Sequence, residues 1–319
     1  MSVARAAGLI RAGKLVAFPT ETVYGLGANA FDEAAVERIF DAKGRPRTSP
    51  LIVHVDSIEM ARALAAEWCE AAEMLARRYW PGPLTLVVPK RRGLSKAGQE
   101  ARPTVPDIVT AGLPTVGLRM PAHPLALELI RAAGVPIAAP SANRFTELSP
   151  TAAAHIPRDL ADCVLDGGPA RVGIESVVLS LAGAPTLLRP GAISLPEIEA
   201  LIGPVRLGAT PDEGPHASPG MHPRHYSPST PLYVLAAGTQ PPEGHGAWLR
   251  IGREMPANAS EYAAALYETL HRLDAQGLSW IAVERPPDAP EWAGVLDLPL
   301  RAGGTGALGE NRSLTVAAR

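Results

Sequence analysis

Lys43, Arg45 and Arg47 bring three cations into five consecutive positions of the polar run 43–50, Lys-Gly-Arg-Pro-Arg-Thr-Ser-Pro. One such charge just beyond a helix would serve as a dipole-matching cap. Three of them, separated by Gly and Pro in a loop leading into a strand, fit an anion better. A triphosphate or carboxylate would be held there by charge-assisted hydrogen bonds worth about 1.5–3 kcal/mol each. A second polar segment, 18–30, reads Phe-Pro-Thr-Glu-Thr-Val-Tyr-Gly-Leu-Gly-Ala-Asn-Ala, a buried-type strand end running into a loop of hydroxyls, a carboxylate, a phenol and two glycines. A third, 140–143, places Ser141 and Asn143 just after Pro140. A helix N-cap or an Asx turn is the plain structural role at such a place, and backbone N–H groups there also favour phosphate. Arg119 and His123, in Arg-Met-Pro-Ala-His, and Arg189, before Pro-Gly, each follow a strand, and Ser176 opens one. Each alone could be a solvated strand-end residue. Together, polar loops at several strand ends suggest one convergent ligand site.

The elements that must hold these residues alternate along the chain. A helix to about residue 12, a strand at 15–18, a helix opened by Asp32, a strand at 51–55 and a helix over 58–79 come first. Strands follow at 85–88, 115–120, 135–139, 176–181 and 186–189, with helices at 125–133 and 195–202. Several strand-to-strand links are short, so the sheet is expected to be mixed within an α/β architecture. Residues 205–230 dissolve into Gly, Pro, Ser and His and read as a linker. Beyond it, strands at 232–235, 247–251 and 279–283 and a helix at 260–276 form a smaller α/β unit. The expected organisation is a larger domain over 1–204, the linker over 205–230 and a second domain over 231–319.

Composition narrows the function classes. The 319 residues, 46% hydrophobic, can bury a full core, and 30 Lys plus Arg against 32 Asp plus Glu argue against a wholesale electrostatic grip on nucleic acid or membrane. Any anion site must be local. Cys69 and Cys163 lie far apart with no ligand-spaced partners, which fits a reducing compartment, cytoplasm by default, and no structural zinc. No apolar run has the length of a membrane span. The histidines His216, His222 and His225 lack a carboxylate or thiol to complete a metal site, so no resident metal is expected. Two glycine runs, at 25–30 and 304–309, match a dinucleotide fingerprint in letters only. The first is separated from its strand and the second stands too near residue 319 for the helix and strand that should follow. There is no Gly-x-Ser-x-Gly elbow and no Gly-x-x-x-x-Gly-Lys-Ser/Thr loop, which removes common serine hydrolases and P-loop enzymes.

Read together, these loops resemble the two-domain threonylcarbamoyl-adenylate synthase family. The resemblance rests on Phe-Pro-Thr-Glu-Thr-Val-Tyr-Gly-Leu-Gly from Phe18, Lys43 with Arg45, Ser141 with Asn143, Tyr-Trp-Pro-Gly-Pro-Leu-Thr from Tyr79, Gly-Leu-Arg-Met-Pro from Gly117 and Leu-Arg-Pro-Gly from Leu188. The linker signature Ser-Pro-Gly-Met from Ser218, with His225-Tyr226, belongs to the two-domain form. The resemblance implies a twisted mixed-sheet YrdC-like catalytic domain and a smaller Rossmann-like C-terminal domain. It implies a nucleotidyltransferase that converts L-threonine, bicarbonate or CO2 and ATP, with Mg2+ on the phosphates, into threonylcarbamoyl-AMP and pyrophosphate. The product would pass to a downstream transferase complex for threonylcarbamoyladenosine at position 37 of tRNA, with no stable nucleic-acid complex.

By the same resemblance, Lys43, Arg45, Arg47, Arg119, Ser141, Asn143, Ser149 and Arg189 serve ATP, Lys43, Arg45, Ser141 and Asn143 being the catalytic set. Thr20, Thr22, His54, His123 and Ser176 serve threonine and carbamate. His225 and Tyr226 would fold over the nucleotide as the linker closes. Ser176 stands where many members have Thr. Two other readings are a non-catalytic RNA-binding or ribosome-associated module of the same fold and a carbamoyltransferase maturation domain. Salt-sensitive RNA affinity without ATP consumption would mark the first, and turnover of carbamoyl phosphate the second.

Overall fold

The computed structural model describes residues 2–92, 103–208 and 227–302. The N-terminal part runs α1 (Val3–Arg11), β1 (Val16–Phe18), β2 (Gly25–Asn29), α2 (Glu33–Lys43), β3 (Ile52–His54), α3 (Ile58–Leu64), α4 (Glu70–Tyr79) and β4 (Leu84–Pro89). It continues with β5 (Thr115–Arg119), α5 (Pro124–Ala133), β6 (Ile137–Ala139), β7 (Cys163–Val164), β8 (Val177–Ser180), β9 (Thr186–Arg189), α6 (Leu195–Ile202) and β10 (Arg206–Leu207). Its ten strands form one sheet in the order β10-β9-β8-β4-β5-β3-β6-β2-β1-β7. The sheet is mixed, as expected: β3 with β5 and β4 with β8 are parallel, whereas β4 with β5, β3 with β6 and β1 with β2 are antiparallel. The C-terminal part holds β11 (Leu232–Leu235), β12 (Gly246–Leu249), α7 (Ala259–Asp274), β13 (Trp280–Glu284) and α8 (Ala293–Ala302), with three parallel strands in the order β11-β13-β12. Parallel neighbours joined through a helix are the usual small α/β solution. The expected linker signature, with His225 and Tyr226, and the 304–309 glycine run lie outside the described residues.

The helices are capped where polar residues precede apolar faces. The Asp32 side chain accepts the Ala35 N–H to open α2, and a left-handed Gly44 closes it. One face of the large sheet lies under α2, α3, α4 and α6, where Val36, Phe40, Ala61, Leu75 and Ile198 join one core with Ala17, Leu26, Val53 and Leu118. On the other face, α1 and α5 cover Val16, Phe18 and Ile137. Farther along that face His54 is paired with Ile137 and Arg119 with His54, so these polar side chains project from it too.

Three departures from the sequence reading have physical causes. Residues 25–29 are a strand rather than a loop, and its glycines make room for neighbours. A Cβ on Gly27 would come within 2.7 Å of Ile137 Cγ2 and 2.8 Å of Phe18 Cε1. The helix expected over 58–79 is two helices. At the break Ala66 N–H donates to the Pro89 carbonyl and Arg91 N–H to that of Leu64, so β4 competes for the backbone. α8 and the two-residue strands β7 and β10 had no pattern long enough to read.

The second core includes Leu232, Leu249, Tyr262, Leu266, Tyr267, Leu270, Ile281 and Trp292, and it also takes in Val23, Leu148 and Ile174 from the first domain. Tyr262 is fully buried, 5.4 Å edge-on to Trp292, with a hydroxyl that finds no hydrogen-bond partner among the described residues. Tyr262→Phe is therefore expected to stabilise the protein by about 1 kcal/mol, seen as a raised denaturant midpoint, because a buried unsatisfied polar group is removed at constant shape.

Candidate active site

The polar strand ends meet at a cleft of about 520 Å³, counted with its open mouth. Its walls are Thr20, Thr22, Val23, Gly25, Arg45, Ile52, His54, Arg119, Ala139, Pro140, Ser141, Glu175, Ser176 and Arg189. The three arginines are 5%, 4% and 3% exposed in chain order, so their charges are held inside the protein rather than in solvent.

Two are fixed from strand ends and one from the end of α2. Arg119, the last residue of β5, donates to Glu21 Oε1 at 2.7 Å, to Thr22 Oγ1 at 2.9 Å and, through Nε, to the Gly82 carbonyl at 3.3 Å. Glu21 Oε2 accepts from Ala122 N–H at 2.9 Å. Arg189, closing β9, donates to the carbonyl and hydroxyl of Ser176 at 3.0 and 3.1 Å, and Ser176 Oγ is 2.8 Å from Thr85 Oγ1. Arg45 follows Gly44 inward and donates to the Pro50 carbonyl at 3.2 Å. The 18–24 turn is braced internally: Thr20 Oγ1 lies 2.9 Å from Thr22 Oγ1 and donates to the Val23 carbonyl at 2.6 Å.

Lys43 stands behind this wall, 3% exposed, and its ammonium donates to the carbonyls of Ser141, at 2.7 Å, and Asn143. It thus ties the end of α2 to the 140–143 loop instead of capping its own helix. Burial, reinforced by Arg45, holds the ammonium well below the usual lysine range. Burial and the adjacent Arg119 push the His54 imidazole down to about 3, so it is neutral at ordinary pH. Among the described residues His54 Nδ1 and Asn143 Oδ1 are buried without a hydrogen-bond partner. The His54 atom lies in the cleft wall, where a polar ligand can satisfy it.

The chain can now be compared with known proteins. Residues 8–191 match a Sua5/YciO/YrdC family model described as Telomere recombination, and residues 193–304 match one described as Threonylcarbamoyl-AMP synthase, C-terminal domain. The Bacillus subtilis threonylcarbamoyl-AMP synthase is 40% identical over 332 aligned positions, covering 95% of this chain and 93% of that one. The chain belongs to the threonylcarbamoyl-AMP synthase family. The Pyrococcus abyssi member is 52% identical over 239 residues, a match that takes in 72% of this chain and 66% of the relative. The solved structure of P. abyssi Sua5 complexed with L-threonine superposes with a TM-score of 0.82 at 40% identity, covering 94% of each chain. The fold is thus that of the synthase family, a large mixed-sheet domain with a smaller α/β domain.

Of the residues singled out in the sequence, Thr20, Thr22, Arg45, His54, Arg119, Ser141, Ser176 and Arg189 line the one cleft. Lys43 and Asn143 support its 140–143 edge, and Ser149 donates to Glu175 Oε1 at 2.7 Å. Two lie elsewhere. Arg47 is on the surface, paired with Glu37 and, at 3.1 Å, with Asp41 of α2. The turn at Gly44 sends Arg45 inward and brings Arg47 back over its own helix. His123 caps α5, its Nδ1 accepting the Leu125 N–H at 3.2 Å, and its half-buried ring lies against Gly167 rather than in the cleft wall. The sequence reading passed over Glu21 and Glu175, although both adjoin residues it named. Each carboxylate is defined by a partner far away in sequence, Arg119 for one and Ser149 with Tyr267 for the other.

Proposed function

We propose that this chain condenses L-threonine, bicarbonate or CO2 and ATP into threonylcarbamoyl-AMP and pyrophosphate. The observation that carries the reading is the convergence of three buried guanidiniums, Arg45, Arg119 and Arg189, on one cleft, with the Lys43 amine tying its 140–143 edge. Pre-organised guanidiniums in a cleft wall are suited to hold anionic charge through bidentate hydrogen bonds. A nucleotide triphosphate beside an amino-acid carboxylate would supply that charge. Membership of the synthase family, and the L-threonine in the related P. abyssi structure, support the choice of substrates.

The chemistry suits these residues. The threonine amine adds to CO2, forming the N–C bond and losing a proton. A carbamate oxygen then attacks the α-phosphorus, the α–β phosphoanhydride bond breaks, and pyrophosphate leaves. No side chain has to form a covalent bond. The protein must hold two anions together and stabilise charge on phosphorus, which pre-organised cations do without reorganising. Arg45, Arg189 and the Ser141–Ser149 loop tied by Lys43 are assigned to ATP. Thr20, Thr22, neutral His54 and Ser176 are assigned to threonine and its carbamate, and Arg119, expected on ATP, is reassigned to them because it bonds Thr22 and pairs with His54. Mg2+ is assigned to the phosphates of the incoming nucleotide, the usual place for a cation that keeps several waters and few protein ligands. Ser227, near the C-terminal end of the linker, donates its N–H to the Thr146 carbonyl at 2.9 Å. This puts the linker's end beside the nucleotide loop and supports a closing role for it. A cytoplasmic setting and transfer of the product to a tRNA-modifying partner complete the proposal. Among the described residues no helix is long and apolar enough to cross a membrane.

Pyrophosphate release by the purified chain with ATP, Mg2+ and bicarbonate is expected to depend strongly on L-threonine and only weakly on L-serine or L-alanine. Release indifferent to threonine, or none from folded protein, would overturn the reading.

A further inference from the structure

The cleft is not built by the N-terminal domain alone. Tyr267, on α7 of the C-terminal domain, is 1% exposed and directs its hydroxyl to the Glu175 carboxylate, 3.3 Å from Oε1 and 3.2 Å from Oε2. The same carboxylate receives Ser149 Oγ at 2.7 Å, and one turn along α7 His271 Nε2 lies 3.0 Å from the Ser149 carbonyl. The helix cannot drift from this position. A Cβ on Gly173 would come within 2.5 Å of the Ala263 carbonyl oxygen, so α7 rests on the backbone two residues before Glu175. Ile174 and Leu148, which immediately precede Glu175 and Ser149, pack into the C-terminal core.

We propose that Tyr267 is a positioning residue of the active site: its hydroxyl fixes the Glu175 carboxylate, and through it Ser149, in the wall of the cleft. The inference rests on the function proposed above, and it gives the C-terminal domain a direct part in that function. A hydroxyl donated to a carboxylate favours the ionised form. Burial pushes the Glu175 carboxyl up, while Arg189 on β9, Ser149, its own backbone and Tyr267 pull it down. Behind Ser149 stand His271, His155, which stacks on the His271 ring at 3.9 Å, and Glu268. Without the Tyr267 hydroxyl the Glu175 proton is held to higher pH. Activity that needs the carboxylate then fails earlier on acidification.

The test compares full-length wild type, Tyr267→Phe and Tyr262→Phe. Both variants lose only a buried hydroxyl from α7, and of the two only Tyr267 bonds a residue of the cleft wall, Glu175. Tyr267→Phe is expected to lower kcat/KM about tenfold, a loss of about 1.4 kcal/mol, with the acid limb of its pH profile moved upward and its thermal midpoint close to that of wild type. Tyr262→Phe should match wild type in both kinetic readouts. Coincident profiles and rates for the two variants would overturn the inference while leaving the proposed function standing. If wild type releases no pyrophosphate, the proposed function falls instead, and the pH dependence of L-threonine binding then decides: an acid limb displaced in Tyr267→Phe alone supports the inference, and superimposed curves overturn it.

Discussion

Arg119→Ala should cost about 3–5 kcal/mol of stability and remove adenylate synthesis altogether. The guanidinium and the Glu21 carboxylate are 4% and 3% exposed and 2.7 Å apart. Truncating the arginine leaves the carboxylate buried with the Ala122 N–H as its remaining hydrogen bond and deprives Thr22 Oγ1 and the Gly82 carbonyl of a donor. An uncompensated buried charge, rather than the lost attraction, dominates the cost. Urea unfolding measures it directly. The double variant Arg119→Ala with Glu21→Gln separates the two effects, because neutralising the stranded carboxylate restores much of the stability and none of the synthesis. A single variant as stable as wild type would show that the pair is not the anchor of the 18–24 turn.

The second large effect lies on the opposite wall. Lys43→Ala and Arg45→Ala are each expected to lower threonine-dependent pyrophosphate release by about 10²–10³-fold, the scale seen when a pre-organised charge-stabilising donor is removed. Both chains should still fold, since α2 is held by Val36, Ile39 and Phe40, which neither substitution touches. The two losses have different origins. Arg45 is part of the cleft wall, so its removal subtracts charge from the site. Lys43 reaches the site through the Ser141 and Asn143 carbonyls, so its removal also releases the loop that carries them. Wild-type rates in either variant, with circular dichroism unchanged, would remove that residue from the mechanism.

How much of this could be read from the sequence depended on the range of the interaction that decides each feature. Strands such as 186–189 and helices such as 195–202 announce themselves locally, through apolar periodicity and bounding Gly or Pro. Cations at element ends are legible for the same reason, and Arg45 after α2, Arg119 closing β5 and Arg189 closing β9 line one cleft. β2 was hidden because Gly-Leu-Gly-Ala-Asn has almost no strand propensity. It is a strand because Phe18 and Ile137 occupy the space its glycines leave. The divergence of Arg45 and Arg47 turns on one left-handed residue, Gly44, which composition does not orient. Glu21 and Glu175 went unassigned because a carboxylate's role is set by what faces it, and those partners come from other parts of the chain.

The contact between the two domains is close enough to bear on how the protein is made. α7 lies on Gly173, and a Cβ on Gly294 of α8 would come within 2.6 Å of Gly191 Cα, so the hairpin bearing Ser176 and Arg189 is gripped at its open end, on both flanking segments, by the other domain. Joining the halves in one polypeptide keeps them at an effective concentration on the order of millimolar, in a fixed one-to-one ratio. A docking surface of modest area therefore suffices. Neither half ever has to find its counterpart in a crowded solution, and Val23, Leu148 and Ile174 are not left bare beside the substrates for an unrelated chain to cover.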